Sequence, residues 1–397
     1  MTTFPLKPKT SAKCFQLQCC EEDFESVAFS VVGLAVERSL DWTTPNLMPE
    51  PTVCISIVTF NSSRYIRRCL NGVLEQKGIR SSVVVVDNAS ADGTREILQE
   101  FGSRIQVIWN QSNVGFAQAQ NQGIRSSQAD WVLTLNPDLL MEEDFLRRLV
   151  DAGELDRRAG AVCGKLLSIG PGFQRLQERR IDSTGLFFTP AMRHFDRGWH
   201  SLDDGAYDRA EYVFGACAAG ALYRREMIDD ISIGGDFFDP DFFAYREDAD
   251  VAWRAQLLGW RCIYTPAAVG WHVRSVVPGE RRTITPSINM HSVKNRFLMR
   301  IKNATPGLYR HCWLPMTARD LVVAAGCLLV EPQSLPAFWQ VAKCWSTMWE
   351  RRREIMKRRR VSDRDLVRWF RFELAGEPLN GEAVSGTGSR ILAPDAA

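Results

Sequence analysis

The sequence predicts an α/β fold, with a mostly parallel sheet flanked by helices and followed by a C-terminal helical appendage. Two observations support this prediction. Apolar strand-like runs, such as VCISIVTF at 53–60 and VVVVD at 83–87, alternate with segments of helical spacing. Strands that alternate with helices pair in parallel, because each helix carries the chain back to the edge where the previous strand began.

The other elements follow in order along the chain. We expect helices over 62–76, 92–101, 114–127 and 142–150, and strands over 104–109 and 131–136. Residues 170–210, which are rich in Gly, Pro and charge, are interpreted as irregular. After them come a small-residue segment that turns helical (214–227), an aromatic and acidic stretch (237–245), a helix (247–258), a strand (260–265) and a helix (286–302).

Four regions are predicted from this pattern. Residues 1–50 form an N-terminal extension, 51–303 the main domain, 304–375 a tryptophan-rich, basic helical region, and 376–397 a disordered tail. The chain has 397 residues, 45% hydrophobic and 24% charged, as in ordinary globular proteins. Its net charge of +2 predicts no nucleic-acid partner.

Several common classes are excluded by missing motifs. No G-x-G-x-x-G follows the first strand, and neither a P-loop nor a G-x-S-x-G elbow occurs. No C-x-x-C pair occurs, so the sequence does not predict a zinc site. The apolar runs 26–36 and 321–330 are shorter than the roughly 20 residues that span a bilayer, and the first follows an acidic stretch. We therefore expect a cytoplasmic protein.

Polar residues follow three of the predicted strands, where open α/β sheets bind ligands. These are Thr59-Phe60-Asn61, Asp87-Asn88 and Asn136-Pro137-Asp138. Asp87 alone is more simply a helix cap, but Ser90 and Asp92 are also available as caps, which leaves Asp87 and Asn88 to face a base or ribose. Gly115 begins a helix whose amides favour anions, and an ordinary helix start explains it equally well.

Asp138 and His272 are the candidate metal ligands. A carboxylate at a strand end can hold a divalent cation against a diphosphate, although a bare N-P-D is also a common turn. His272 follows a strand, and such a histidine is more often structural unless Asp138 lies nearby.

Three acids, Glu247, Asp248 and Asp250, fall in the first turn of one predicted helix. Compensation of the helix dipole explains them without chemistry, and Asp250 with Arg254 has the spacing of a surface pair. Asp248 shares its side of the helix with Val251 and Ala255, the apolar side. Partial desolvation there would make it the stronger base.

The motifs in order resemble family 2 glycosyltransferases over about 53–303. They are SIVTFNSSRYIRRCL, VVVVDNASADGT, NQSNVGFAQAQNQGI, LTLNPDLL and FDPDFFAYREDADVAWRAQLLGWRCIYTPAAVGWHVRS. The rhamnosyltransferase-like branch is most similar, with N-P-D in place of D-x-D. The resemblance implies a GT-A fold and inverting transfer, rhamnose favoured, from a UDP- or dTDP-sugar to a hydroxyl of a glycan or lipid-linked acceptor. Cell-wall or polysaccharide biosynthesis is the implied setting.

The resemblance also implies roles for individual residues. The nucleotide-sugar would contact Thr59, Asn61, Asp87, Asn88, Asn113, Gly115, Phe116 and Asn136. Asp138 would bind Mg²⁺ or Mn²⁺ with help from His272, and Asp248 would be the base, supported by Glu247 and Asp250. Asn136 is neutral where many relatives have Asp, which predicts weaker metal binding.

Two alternatives stay open. The chain could transfer another sugar, galactose or N-acetylglucosamine, or it could be a catalytically silent scaffold in glycan assembly. The intact set of Asp87, Asp138 and Asp248 argues against the scaffold.

Residues 337–360 allow two interpretations that we weigh equally. Phe338, Val341, Ala342, Trp345 and Trp349 recur at helical spacing, and RRREIMKRRR follows at 351–360. This combination suits peripheral contact with the inner face of an anionic membrane. It equally suits a helix packed on the main domain with a solvated basic face.

Overall fold

The computed structural model describes residues 50–274, 286–371 and 377–379. The predicted extension (1–50) and tail (376–397) lie almost entirely outside these ranges. The strands are β1 (Thr52–Thr59), β2 (Arg80–Asp87), β3 (Gln106–Trp109), β4 (Trp131–Leu135), β5 (Leu139–Met141), β6 (Ala159–Ser168), β7 (Ile181–Ser183), β8 (Leu186–Phe188), β9 (His194–Asp196), β10 (Glu211–Val213), β11 (Gly220–Arg224), β12 (Arg261–His272) and β13 (Glu377–Pro378). The helices are α1 (Ile66–Leu74), α2 (Thr94–Glu100), α3 (Phe116–Arg125), α4 (Phe145–Glu154), α5 (Arg225–Ile231), α6 (Glu247–Leu257), α7 (Pro286–Asn303), α8 (Pro306–Leu329), α9 (Pro336–Arg358) and α10 (Asp363–Phe370).

Eleven of the strands in the described ranges form one sheet. Its order is β13-β10-β12-β6-β11-β4-β1-β2-β3, with β5 beside β12 and β7 beside β6. The strands β4, β1, β2 and β3 are mutually parallel, and β12 is parallel to β6. The predicted α/β fold with a parallel sheet and flanking helices is therefore confirmed, although β11 runs antiparallel between β4 and β6.

Both faces of the parallel strands are covered, as such strands require. Along β1, Val53, Ile55 and Ile57 belong to one buried cluster, while Cys54 and Val58 belong to the other. The helix α3 lies directly on β1, where the Ser56 hydroxyl donates to Gln120 Oε1 over 2.7 Å. This close packing places the start of α3 beside the ends of β1 and β2.

Two central strands were not predicted. The sequence of β6 is AGAVCGKLLS and that of β11 is GALYR. Alanine and glycine have low strand propensity, so neither run resembles a strand by composition. Tight neighbours require the small residues: a Cβ at Gly164 would lie 2.4 Å from the Ala268 carbonyl oxygen.

The C-terminal helices share the core of the main domain. Leu308 and Met316 of α8, Ile355 of α9 and Phe370 of α10 belong to the same buried cluster as residues of the sheet. The regions predicted as 51–303 and 304–375 are thus joined by continuous packing.

The basic run 351–360 is mostly engaged within the protein. Arg351 pairs with Asp239 and Asp241, and Arg360 with Asp230. Arg352, Arg358 and Arg359 donate to backbone carbonyls. This geometry favours the second interpretation of 351–360, a helix packed on the main domain, and it leaves few of these cations for a membrane.

One described helix, α8, is long and apolar enough to cross a membrane by length and composition, with a mean hydropathy of 1.4 in its most apolar window. The apolar run 321–330, predicted to be too short to span a bilayer by itself, forms the end of a longer helix that begins at Pro306.

Candidate active site

The ends of β1 and β2 form one edge of the candidate site. The strand register sets Thr59 opposite Asp87, and the Thr59 hydroxyl donates to Asp87 Oδ1 over 2.9 Å. Asp87 Oδ2 accepts from the Ser90 amide at 3.1 Å, and Asp87 is fully buried. The expectation that Ser90 leaves Asp87 free therefore needs correction: both Asp87 oxygens bind protein groups.

Asn61 joins the two strand-end loops. Its side-chain Oδ1 accepts a hydrogen bond from the backbone amide of Ala91 at 2.9 Å. The backbone amide of Asn61 donates to Ser90 Oγ at 2.9 Å. Its left-handed φ of 51° is one that Asn tolerates better than most residues. The neighbouring Phe60 is 50% exposed, and it is the large apolar group that this loop presents to solvent.

The start of α3 is fixed by the predicted nucleotide-binding residues. Asn88 Nδ2 donates to the Gly115 carbonyl at 3.3 Å, and Asn113 Oδ1 accepts from the Gly115 amide at 2.9 Å. Phe116 packs edge-on against Phe238. The structure places these residues close together and gives Asn88 and Asn113 a part in shaping the loop.

Asn136, Asp138 and His272 come together at the end of β4. His272 Nε2 lies 3.3 Å from Asp138 Oδ1 and 3.4 Å from Asn136 Nδ2. The pairing of β5 with β12 causes this meeting, because it sets His272 opposite Leu139. The proximity that the sequence could not establish is present.

Three charged residues that the sequence did not predict, Asp182, Arg274 and Asp196, form a connected set of contacts on the Nδ1 side of His272. His272 Nδ1 lies 2.8 Å from Asp182 Oδ2, Arg274 Nε donates to Asp182 Oδ1 at 2.7 Å, and Arg274 Nη2 donates to Asp196 at 2.7 Å. Asp182 and Asp196 lie on β7 and β9, inside the segment interpreted as irregular.

These contacts perturb the protonation of the site. Burial disfavours the charged form of His272, but the carboxylates of Asp182 and Asp138 outweigh burial and raise the pKa of His272 to about 10. For Asp182, burial again opposes ionisation, and His272 and Arg274 nevertheless hold the pKa of Asp182 at about 2. The pair is thus ionised across the neutral range in the protein alone, and a cation bound at His272 Nε2 would have to displace its proton.

The three acids of α6 have different environments. Asp250 is fully buried and accepts from Arg254, Lys302 and Asn303, so the predicted surface pair with Arg254 is instead a buried ion pair. Asp248 is partly exposed and accepts from the amides of Ala249 and Ala218. Glu247 is buried, and its Oε2 has no hydrogen-bond partner in the described ranges.

Asp248 has a carboxyl suited to proton transfer. Burial, together with the charge of Asp196, raises the pKa of Asp248 to about 6. Burial and Asp248 raise the pKa of Glu247 to about 8. Asp248 also lines a small cavity with Val251 and Ala255, on the side of α6 that faces Ala161 of β6 and Tyr223 of β11. A carboxyl that titrates just below neutral pH can accept a proton at pH 7.

The segment 217–219 connects Asp248 to the Asp138 end of the site. Its Ala218 amide donates to Asp248 Oδ2 at 3.4 Å, and its Ala219 carbonyl accepts from the Asn136 amide at 2.9 Å. One short segment therefore separates the acid from the Asp138–His272 pair. The arrangement can hold an anionic ligand at a sheet edge and remove a proton beside it.

The sequence is similar to known glycosyltransferases. Residues 54–232 match the family model of glycosyl transferase family 2. The chain is 24% identical over 221 residues to poly-beta-1,6-N-acetyl-D-glucosamine synthase of Staphylococcus aureus (strain COL), covering 54% of this chain and 48% of the relative. It is 31% identical over 234 residues to succinoglycan biosynthesis protein ExoO of Rhizobium meliloti (strain 1021), covering 58% and 63%.

The fold is also similar to that of a solved structure. A crystal structure of GalNAc-T7 with UDP, GalNAc and Mn²⁺ aligns with a TM-score of 0.52 at 13% identity, over 64% of this chain and 48% of that chain. This likeness concerns the fold, which is of the GT-A type with added C-terminal helices. The chain spans about half the length of the first of these curated relatives.

Proposed function

We propose that this chain is an inverting glycosyltransferase, which moves a sugar from a nucleotide diphosphate to a hydroxyl acceptor. One observation carries the proposal: a partly exposed carboxyl, Asp248, lies one segment away from Asp138 and His272 at a sheet edge of a family 2 domain. Ligands of open α/β sheets bind at this edge.

The donor is a UDP- or dTDP-sugar in this proposal, and rhamnose is its favoured sugar. The nucleoside would lie against Phe60 and the start of α3, and the diphosphate would point toward Asp138. The name of the Staphylococcus relative makes N-acetylglucosamine the competing sugar, and galactose is the other alternative.

Asp138 and His272 fit a divalent cation, Mg²⁺ or Mn²⁺. They offer a carboxylate and an imidazole 3.3 Å apart, and Asp182 orients the imidazole through its other nitrogen, an arrangement typical of metal-ligating histidines. No group of three or more His, Cys, Asp or Glu side chains suited to a metal occurs among the described residues. The remaining ligands would be oxygens of the diphosphate. A cation held there supplies charge neutralisation for the leaving diphosphate.

The reaction is a single displacement. The acceptor hydroxyl attacks the anomeric carbon on the face opposite the diphosphate, and Asp248 takes the hydroxyl proton. The bond between the sugar and the diphosphate breaks as the new glycosidic bond forms, so the anomeric configuration inverts. Asn136, beside His272, would contact the donor near the diphosphate.

The acceptor in this proposal is a glycan or a lipid-linked sugar, in the biosynthesis of a cell wall or polysaccharide. A cytoplasmic protein at the inner face of a membrane would reach such a lipid-linked acceptor. We also propose that residues 51–303 form the catalytic domain and that residues 304–375 form the C-terminal helical region. The silent scaffold is its alternative, and the Asp138–His272 contact argues against it.

A thermal-shift panel followed by a transfer assay tests the proposal. A nucleotide at 100-fold its Kd should add about 2.7 kcal/mol of stability. UDP or dTDP should therefore raise the melting temperature in the presence of Mn²⁺, and the matching nucleotide-sugar should be consumed. Asp138→Ala should lose turnover, while Asp203→Asn, a buried acid paired with Lys165, should retain it. If no nucleotide binds and no sugar is transferred, the proposal is wrong.

A further inference from the structure

The outer face of α8 has an unusual composition for a surface helix. No residue of 313–329 that is more than about a third exposed carries a charge. The large members of this set, which we call the α8 face, are Trp313, Leu314, Leu321, Val322, Leu328 and Leu329. Leu329 is 82% exposed and Leu321 68%. A helix face that meets water is normally polar, and a contiguous apolar patch marks an interaction surface.

The inner face of α8 is fixed to the protein. Cys312, Met316 and Cys327 are buried in the core. The charge of Asp320 is paired with Arg296 and Arg300 on the neighbouring α7. Crossing a bilayer would break these contacts, so a membrane-bound α8 would lie along the interface. At 1.5 Å per residue the face is about 25 Å long.

The apolar surface continues into the start of α9. Leu335 is 37% exposed and Trp339 65%. Val323 and Ala337 share a buried cluster, so the end of α8 and the start of α9 are adjacent. The Lys343 ammonium lies over the Trp339 ring at 5.4 Å. Tryptophan beside a cation is typical of groups at the level of lipid headgroups.

We propose that the α8 face, continued by Leu335 and Trp339, inserts into the headgroup–acyl boundary of an anionic bilayer, with α8 parallel to the membrane. A lipid surface fits better than a second copy, because the face combines an uncharged helix side with a tryptophan and lysine at its end. The contact lies within 313–343, before the engaged arginines of 351–360. This membrane contact rests on the proposed function only where the acceptor is concerned. A transferase held at the membrane by α8 would reach lipid-linked sugars.

Flotation of the full chain with vesicles tests this surface. Wild type should float with vesicles of phosphatidylcholine and phosphatidylglycerol. The triple variant Leu321→Gln, Leu328→Gln, Leu329→Gln should partition at least about tenfold less, because apolar burial drives interfacial binding. The matched control Leu155→Gln, Leu202→Gln removes apolar groups that are 74% and 46% exposed elsewhere, and should float like wild type.

Three outcomes would overturn the lipid contact. In the first, wild type does not float with the vesicles, and in the second the triple variant floats as wild type does. In the third, sedimentation shows a wild-type dimer that the triple variant loses while its flotation stays unchanged. Donor turnover in vesicle-free buffer is measured in parallel. It should be equal in wild type and the triple variant, since the α8 face lies outside the candidate site. A failure of the proposed function would appear in that assay alone.

A separate set of contacts carries a second inference, about the segment that leads into α6. Phe243, Tyr245 and Arg246 have left-handed φ values of 64°, 70° and 72°. Such values in non-glycine residues cost about 1–3 kcal/mol each and persist only where the surroundings impose them. Arg246 directly precedes Glu247 and Asp248, so this segment aims the start of α6.

Asn295 of α7 imposes this conformation. Its Nδ2 lies 2.8 Å from the Phe242 carbonyl, 2.8 Å from the Ala244 carbonyl and 2.7 Å from the Tyr245 carbonyl. Asn295 is fully buried. The side-chain nitrogen of Asn295 thus lies within hydrogen-bond distance of three carbonyl oxygens of the strained segment.

The same segment touches the donor end of the site. The Phe243 carbonyl accepts from the Ala117 amide of α3 at 3.1 Å. Arg246 donates to the Ser292 carbonyl of α7 at 2.9 Å. The segment 242–246 therefore spans the distance between the start of α3 and the acid of α6.

We infer that Asn295 is a positioning residue, which acts on turnover by holding 242–246 and thereby Asp248. Asn295→Asp keeps the shape, removes the N–H donors and sets a charge against three carbonyls. The expected result is a fall in kcat of about 10- to 100-fold, because small misplacement of a reacting group has effects of this size. Donor Kd should change less than kcat, and the acid limb of the kcat–pH profile should move.

Assays are run well below the melting temperature of the variant, so that loss of folded protein does not enter. An unchanged kcat would sink the inference. Equal losses in kcat and donor affinity without a change in the pH profile would also sink it, because they indicate general disruption. It rests on the proposed function, whose own failure would already appear as absent turnover in wild type.

Discussion

His272 Nδ1 and Asp182 Oδ2 lie 2.8 Å apart, although 90 residues separate them in the chain. Because Nδ1 is held by Asp182, the other ring nitrogen of His272, Nε2, is directed at Asp138. A buried carboxylate behind a ligating histidine raises the basicity of the ring and limits its rotation. Asp182 would therefore support the proposed metal site, although it is not itself a predicted ligand.

Removing the Asp182 carboxylate should weaken metal use. For Asp182→Asn we expect the Mn²⁺ concentration for half-maximal activity to rise about 10- to 100-fold, the range typical of outer partners of metal ligands. Metal titration of the transfer reaction measures this shift. Asp203→Asn, which alters a buried ion pair outside the site, should leave the titration unchanged. Identical titrations for Asp182→Asn and wild type would contradict the role.

Gly115 lies where the loop before α3, the proposed donor-binding loop, meets the segment 242–246. A Cβ at Gly115 would fall 2.5 Å from Phe243 Cδ2 and 2.7 Å from the Phe243 carbonyl oxygen, at a φ of +85°. Gly115→Ala should therefore lower the free energy of unfolding by about 2–4 kcal/mol, from strain and overpacking together. Urea unfolding measures the loss, and donor Kd should rise as the loop shifts.

Gly93→Ala is a reference for a positive-φ glycine without a steric contact, because Gly93 has a φ of +91° and nothing within 4 Å of the added Cβ; its ψ of 1° is αL, whereas Gly115 has a ψ of 164°. It should show the backbone cost alone, about 1 kcal/mol. Equal losses for the two variants would show that the contact with Phe243 does not matter.

Glu247 should make stability depend on pH. Its pKa is raised from 4.5 to about 8 by burial and by Asp248, so the folded state keeps a proton that the unfolded state releases. The contribution of Glu247 to stability is therefore present below about pH 4.5 and declines as pH rises toward 8.

Glu247→Gln should remove this decline. Between pH 5 and pH 8 we expect the variant to lose about 1–3 kcal/mol less unfolding free energy than wild type, with the greatest difference at the alkaline end. Urea unfolding at several pH values measures both curves. Parallel curves would mean that Glu247 titrates normally in the folded state.

The sequence predicts some parts of this site better than others, for physical reasons. Asp87 and Asp138 follow runs of Val and Leu that can only be buried strands, so their place at the sheet edge follows from local pattern. Asp182 and Asp196 lie on three-residue strands in a Gly-rich stretch with no periodicity. Only the long-range pairing of β7 with β6 brings Asp182 to His272.

Asp250 illustrates the same limit within one helix. Its spacing from Arg254 fits a surface pair, but α7 covers that side of α6 and supplies Lys302 and Asn303. Local spacing predicts the pairing of Asp250 with Arg254. Only the packing of α7, whose Lys302 lies 52 residues further along the chain, determines that the pair is buried.

Asp248→Asn is the most informative change for the proposed mechanism. Loss of a general base should lower kcat by about 10²–10⁴. The donor site should be intact, because Asp248 contacts the amides of Ala249 and Ala218 and lies apart from the strand-end loops. If Asp248 merely organised the helix start, the cost should be about 1 kcal/mol of stability with turnover largely retained.

The pH profile separates Asp248 from its neighbour. The pKa of Asp248, raised to about 6 by burial and by Asp196, predicts that wild-type kcat falls as pH drops below about 6, because only the carboxylate accepts the proton. Burial and Asp248 raise the pKa of Glu247 to about 8, so Glu247 as the base would give a limb at higher pH. Glu247→Gln should therefore keep kcat within a few-fold and preserve the limb near pH 6, whereas Asp248→Asn should lose both. An Asp248→Asn enzyme that turns over within a few-fold of wild type, beside an inactive Glu247→Gln, would transfer the role of base to Glu247.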